Sequence, residues 1–133
     1  MFRVKYSREI ILKLLYQIDV LGIEVANSRD FLEENGNFFK GLNDQEREFI
    51  TQIIDSVLRE LPQIDSLISE NLIDWSLGRL APVDRNLIRM GIAESRVNSE
   101  KAIVIDDIIR ISKKYGSEDS FKIINAILDK VIQ

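Results

Sequence analysis

The chain of 133 residues has no cysteine and no histidine. Those absences exclude a disulfide framework, a thiol nucleophile, an imidazole base and any Cys/His metal site, and with them most hydrolytic and redox chemistry. No apolar run approaches the ~20 residues needed to span a bilayer. The opening segment MFRVKYSREIILKLLYQ is basic and then apolar, as in a secretion signal. However, Glu9 and Lys13 interrupt the apolar run and no small-residue cleavage site follows. A cytoplasmic location without a membrane partner is expected. There is no Gly-rich phosphate loop. The adjacent carboxylates Glu33 and Glu34, or Asp106 and Asp107, diverge by about 100° on a helix and cannot share a proton or a metal. No catalytic residue, metal or cofactor is expected.

What remains is the composition of an ordinary globular protein, long enough for one domain with a substantial core. The formal net charge of −4 argues against a molecule that is basic overall, as many nucleic-acid binders are. Its distribution is uneven, however. Residues 1–13 carry Arg3, Lys5, Arg8 and Lys13 against Glu9 alone, a local basic arm within an acidic total.

With only two prolines and six glycines, little interrupts a helix, and apolar residues recur at three and four rather than two. This pattern predicts an all-α protein of about seven helices. A first helix over about 4–21 places Val4, Ile11, Leu14, Leu15, Ile18 and Leu21 on one face. Leu12 and Tyr16 fall outside it and need a second packing surface. A short helix is expected after Ser28 as N-cap. Asn43 and Glu46 have capping-box spacing before a stripe from Phe49 to Leu61, and Pro62 interrupts that helix before the next begins. Pro82 suits the first turn of a helix over about 82–96. Helices over about 100–115 and 118–131 follow, with Gly116 as C-terminal stop and Ser117 as the next N-cap. Asp106 and Arg110 are expected to pair at i, i+4.

Three features invite function. Arg85, Arg89 and Arg96 project within about 40° of one another opposite the core face of their helix, forming a basic stripe. Glu94 falls near that core face, where an unpaired carboxylate is costly, so a hydrogen bond from an arginine or a loop backbone is expected. Trp75 is read as a packing wedge rather than a base-stacking platform.

The segments SREIILKLLYQIDV, IDSLISENLIDWSLGRLAPVDRNLIRMGIAES and KKYGSEDSFKIINAILDKV, in this order and spacing, make the chain resemble the NusB family of bacterial transcription antitermination factors over nearly its whole length. The resemblance implies a single domain of two small antiparallel helical bundles, about 1–61 and 62–133, with no catalysis. It implies pairing with the small-subunit ribosomal protein NusE, binding of single-stranded boxA RNA in nascent ribosomal RNA, and participation in the RNA polymerase antitermination complex. Some relatives form homodimers. On the matching positions, Arg3, Lys5, Arg8, Arg79, Tyr115, Asp119, Lys122 and Ile123 are implied at the RNA, and Tyr16 and Asp84 at NusE. Charged phosphate contacts plus aromatic stacking suit single-stranded RNA. Relatives often carry Phe where this chain has Ile123 and Gly where it has Ala126, and their amino termini are richer in arginine. Weak RNA binding alone and stronger binding with NusE are therefore expected. The alternatives are a helical protein-interaction adaptor and an accessory RNA-binding module of the kind attached to ribosomal RNA cytosine methyltransferases. The latter would require a catalytic domain with a cysteine nucleophile.

Overall fold

The structure, a computed structural model, describes residues 1–73 and 76–132, so the reading of Trp75 lies outside the described residues. Among these residues it is all-helical: α1 (Val4–Val20), α2 (Ser28–Glu34), α3 (Asp44–Arg59), α4 (Leu61–Glu70), α5 (Pro82–Ser95), α6 (Lys101–Tyr115) and α7 (Ser120–Val131). Short 3-10 turns lie at Val25–Asn27, Gly36–Phe39 and Leu77–Arg79. No helix among the described residues is long and apolar enough to cross a membrane.

Local chemistry sets most boundaries. At the start of α3 the Asn43 side chain accepts from the Glu46 N–H at 2.8 Å, and the Asn43 N–H donates to Glu46 Oε1 at 3.0 Å, completing the expected capping box. α1 stops at Gly22, whose φ of 67° is open to glycine without a Cβ clash. There the Ile23 N–H reaches the Ile18 carbonyl and the Gly22 N–H reaches that of Asp19, so the last carbonyls are satisfied. Leu21, expected on the core face, follows that last turn and is exposed. Gly116 does end α6, but for a different reason than a left-handed cap. Its backbone is extended, and a Cβ there would lie 2.6 Å from Ser120 Oγ and 2.7 Å from the Ser112 carbonyl oxygen. Ser117 is not the N-cap of α7. Its own N–H donates to Ser120 Oγ at 2.8 Å, and the helix begins at Ser120, after Asp119. Ser28 is likewise the first residue of α2 rather than its cap, with its hydroxyl turned back to the Val25 carbonyl.

α5 is the central helix, packed against α1, α3, α4, α6 and α7. Surrounded in this way, it has little free face, which overturns the expected arginine stripe. Arg85 pairs with Asp19 at 2.5 and 2.9 Å, Arg89 pairs with Asp65 at 2.8 and 2.9 Å and also reaches Asp19, and Arg96 pairs with Glu60. The stripe thus faces acids of α1 and α4 and the Glu60 junction between α3 and α4; the charges of Arg85 and Arg89 are spent inside the fold, and that of Arg96 in a pair at the surface. Burial pushes the Asp19 carboxyl up, yet hydrogen bonds from Arg85 and Asn86 and the nearby Arg89 charge hold it below its ordinary value.

The deepest polar feature joins α1, α5 and α6. Arg8, expected at RNA phosphate, is 2% exposed. Its Nε and Nη2 donate to the two oxygens of Glu94 at 2.8 and 2.5 Å, and Nη1 donates to Asp107 at 2.8 Å. Burial works against the Arg8 charge, but the two carboxylates outweigh it and raise the guanidinium above its ordinary pKa. Glu94 thus has its arginine, as its position on the wheel required. Asp107 is buried by the same pairing and also accepts from Arg110 at 2.5 Å, a bond that replaces the expected Asp106–Arg110 pair. Around this network lies a continuous apolar core including Ile11, Leu14, Ile54, Leu87, Ile108 and Leu128.

Removing one partner of such a network strands the others in a dry interior. Arg8→Met is expected to lower the unfolding free energy by about 3–5 kcal/mol, measured from the midpoint and slope of urea unfolding. A loss below about 1 kcal/mol would show that Glu94 and Asp107 are not held by Arg8.

Candidate nucleic-acid interface

Burying Arg8 turns its neighbour outward, because successive helical residues differ by about 100°. Lys5, Glu9 and Lys13 stand at i, i+4 and i+8 along α1, Glu9 and Lys13 next to the C-terminal half of α6 and Lys5 in a cleft shared with Glu100 and Ile103 near its start. Glu9 is the junction. Its Oε1 accepts from Lys114 Nζ at 2.7 Å and from the Tyr115 hydroxyl at 2.8 Å, and its Oε2 accepts from Arg110 Nη1 at 3.1 Å. The Glu9 side chain is only 14% exposed. Burial pushes its carboxyl up, but the bonds from Lys114, Tyr115 and Arg110 prevail and bring it to about 2. The Lys114 ammonium is raised in turn, first by its hydrogen bond to Glu9.

Tyr115 is half-buried, with Lys114 Nζ 5.2 Å and Lys13 Nζ 5.7 Å from its ring centre. Beyond the Gly116 turn, Phe121 has Lys113 Nζ at 5.1 Å and Lys122 Nζ at 5.9 Å from its own ring centre. Exposed ammonium groups interleaved with two aromatic rings give phosphate contacts and stacking surface together, the pairing that single-stranded nucleic acid requires. Lys122 also pairs with exposed Asp119 at 3.4 Å, and Ile123 is half-buried against the core.

The structure therefore brings Lys5, Tyr115, Asp119 and Lys122 to the exposed side of α1, α6 and the turn into α7, and it sorts the other expected RNA contacts elsewhere. Arg8 is internal. Arg3 precedes α1 as a clamp on α3, its backbone N–H and Nε both donating to Glu46 Oε2 at 2.8 Å and its Nη2 to Glu46 Oε1 at 3.0 Å, with its guanidinium over Tyr6. Arg79 lies exposed in the 3-10 turn that packs on α4.

A largely apolar groove of about 300 Å³ adjoins this face, lined by Leu12, Lys13, Tyr16, Phe38, Val83 and Tyr115 among others. The second stripe of α1 is thus only partly covered: Leu12 is buried, while Tyr16 remains 38% exposed. Asp84, one residue on from the groove-lining Val83, is 5% exposed rather than on the surface. Its Oδ1 has no hydrogen-bond partner among the described residues. Glu9 and Lys13 of the basic arm, with Lys113 and Phe121, were not among the residues implied at the RNA. The i, i+4 spacing of Lys5, Glu9 and Lys13 was a visible signal, whereas the bonds from Glu9 to α6 span 101–106 residues and have no local signature.

The chain is similar to known proteins over nearly its whole length. The NusB family model matches residues 5–133. The transcription antitermination protein NusB of Syntrophomonas wolfei is 31% identical over 128 residues, covering 95% of this chain and 92% of that one. A crystal structure of the antitermination factors NusB and NusE in complex with double-stranded RNA superposes with a TM-score of 0.87 at 30% identity, covering 99% of this chain and 98% of that one. Thermotoga maritima NusB superposes with a TM-score of 0.82 at 31% identity, covering 99% and 92%.

Because the Glu9 carboxyl is depressed from an ordinary 4.5 to about 2, its contribution to stability is fully present above the unfolded value and is lost only as pH falls through the folded one. A carbon-detected NMR titration is expected to show the Glu9 side-chain carboxyl still ionised at pH 3. A midpoint near 4.5 would mean that the three donors do not hold it in solution.

Proposed function

The chain belongs to the NusB family, and we propose that it acts as a transcription antitermination factor, binding boxA-type RNA in nascent ribosomal RNA together with NusE. It is not an enzyme. The observation that carries the reading is the face of α1, α6 and the α7 turn, where Lys13, Lys113 and Lys122 stand around the rings of Tyr115 and Phe121 and Lys5 is exposed two turns before Lys13 on α1. RNA phosphates would lie along the ammonium groups and a base would stack at Tyr115. Arg79, at the other end of α5, and half-exposed Arg3 are candidates for flanking contacts.

The groove at Tyr16 is the proposed NusE site. Apolar walls and a half-exposed tyrosine suit a protein partner, and a buried carboxylate oxygen without a donor is costly until something supplies one. We assign that donor at Asp84 to NusE. Lys13 and Tyr115 line the groove as well as the basic face, so partner and RNA would share residues, and NusE would strengthen RNA binding by extending one continuous surface. In its absence the same groove is open to a second copy of the chain. We read residues 1–61 and 62–133 as two bundles of one domain, acting in the cytoplasm within the polymerase antitermination complex.

Fluorescence anisotropy with a boxA-like RNA and a scrambled RNA, with and without NusE across salt, tests this function. Preference for boxA is expected, increased by NusE and weakened by salt in proportion to the phosphates contacted. Equal affinity for both RNAs with NusE present leaves only the adaptor reading. Tyr115→Ala is expected to cost about 1–3 kcal/mol of boxA binding, and an unchanged affinity would assign the ring to packing alone.

A further inference from the structure

We infer that Glu9 is a specificity-determining residue of the RNA face, an internal anion that occupies cation sites an arbitrary phosphate would otherwise take. The inference rests on the RNA-binding function proposed above and adds to it a residue that limits indiscriminate binding. The Glu9 carboxylate collects an ammonium, a guanidinium and a phenol within 2.7–3.1 Å, a donor set suited to a phosphate oxygen. It stands between Lys5 and Lys13 on α1, so its charge lies in the middle of the basic strip. Arg110 is further neutralised by Asp107 on its other side, and exposed Asp106 adds a second acid on the same stretch of α6. The cations left for RNA are those at the edges: Lys13, Lys113 and Lys122 beside the aromatic rings, the last only loosely held by exposed Asp119, and Lys5 further along α1.

This arrangement separates two contributions to affinity. Non-specific binding of RNA comes almost entirely from phosphate neutralisation and counterion release, whereas specific binding adds base stacking and base-edge contacts. A fixed carboxylate within the strip reduces the first and leaves the second in place. The same bond from the Tyr115 hydroxyl to Glu9 holds the ring beside Lys13 and Lys114, so the residue that repels phosphate also orients the stacking surface. Discrimination increases because the sequence-independent part of binding is weakened selectively.

The test is Glu9→Gln in the full chain, assayed with NusE against boxA-like and scrambled RNAs of equal length across salt. Glutamine keeps an acceptor for Tyr115 while removing the charge. Scrambled-RNA affinity at low salt is expected to rise by roughly threefold to tenfold, with the slope of log K against log salt steepening by about 0.7–1.4, one to two extra phosphates on a single strand. BoxA affinity is expected to rise less, so the specificity ratio falls. An unchanged ratio and slope, or equal weakening of both RNAs, overturns the inference. The unmutated protein serves as the separate check on the function: absence of boxA preference there refutes the antitermination reading, while the slope change in the variant still judges Glu9. If Glu9→Gln does not fold, Lys114→Gln, which leaves the Glu9 charge less screened, decides the point. Scrambled-RNA affinity is then expected to fall more than boxA affinity, and equal losses overturn the inference.

Discussion

The buried contact of Arg8 with Glu94 and Asp107 is the constraint on which the rest of the arrangement depends. A guanidinium in a dry interior is tolerable only with its charge and donors matched, and here two carboxylates from two other helices match it. Because the fork is planar and directional, it fixes the rotation of α1 about its own axis as well as its distance from α5 and α6. Apolar packing alone is less demanding. The isoleucines and leucines of α1 would tolerate small rotations, whereas a bidentate pair at 2.5 and 2.8 Å would not.

That rotation determines what α1 shows to solvent. With Arg8 facing inward, Glu9 meets the end of α6, Lys5 and Lys13 flank it, and Leu12 and Tyr16 open onto the groove beside Phe38 and Val83. Asp107 links the interior to the surface: it accepts from Arg8 inside and from Arg110 outside, and Arg110 continues to Glu9. One chain of charges therefore runs from the core to the candidate RNA face and positions Tyr115 at its end. Similar alternation governs α5, whose arginines are matched by Asp19, Asp65 and Glu60 and so add no free charge to the surface.

The helices were legible in the sequence because their signals are local. The Asn43–Glu46 capping box, Pro82 in the first turn of α5 and the three-and-four spacing of isoleucine and leucine each act within a few residues. The family motifs around SREIILKLLYQ, DRNLIRMGIAE and KKYGSEDS pointed to the family from the residues alone. The fate of each charge was much less legible. Arg8 and Lys5 look equivalent in a basic arm, yet one is internal and the other exposed, since the partners that decide between them, Glu94 and Asp107, are 86 and 99 residues away. The helical wheel of α5 grouped three arginines correctly but had no means of showing that α1 and α4 would bring acids to meet them. Gly116 was legible as the stop of α6, but its requirement for glycine is the close approach of Ser120 and Ser112, a contact that depends on how α7 folds back.

The central claim is that the RNA face lies on α1, α6 and the turn into α7, set there by the buried Arg8 network. Backbone amide chemical-shift mapping of the NusE-bound protein, on addition of boxA-like RNA, tests it most directly. Perturbations are expected to concentrate at Lys5–Lys13, Arg110–Tyr115 and Asp119–Lys122. Perturbations confined to α2 and α3, or centred on the arginines of α5, would contradict it.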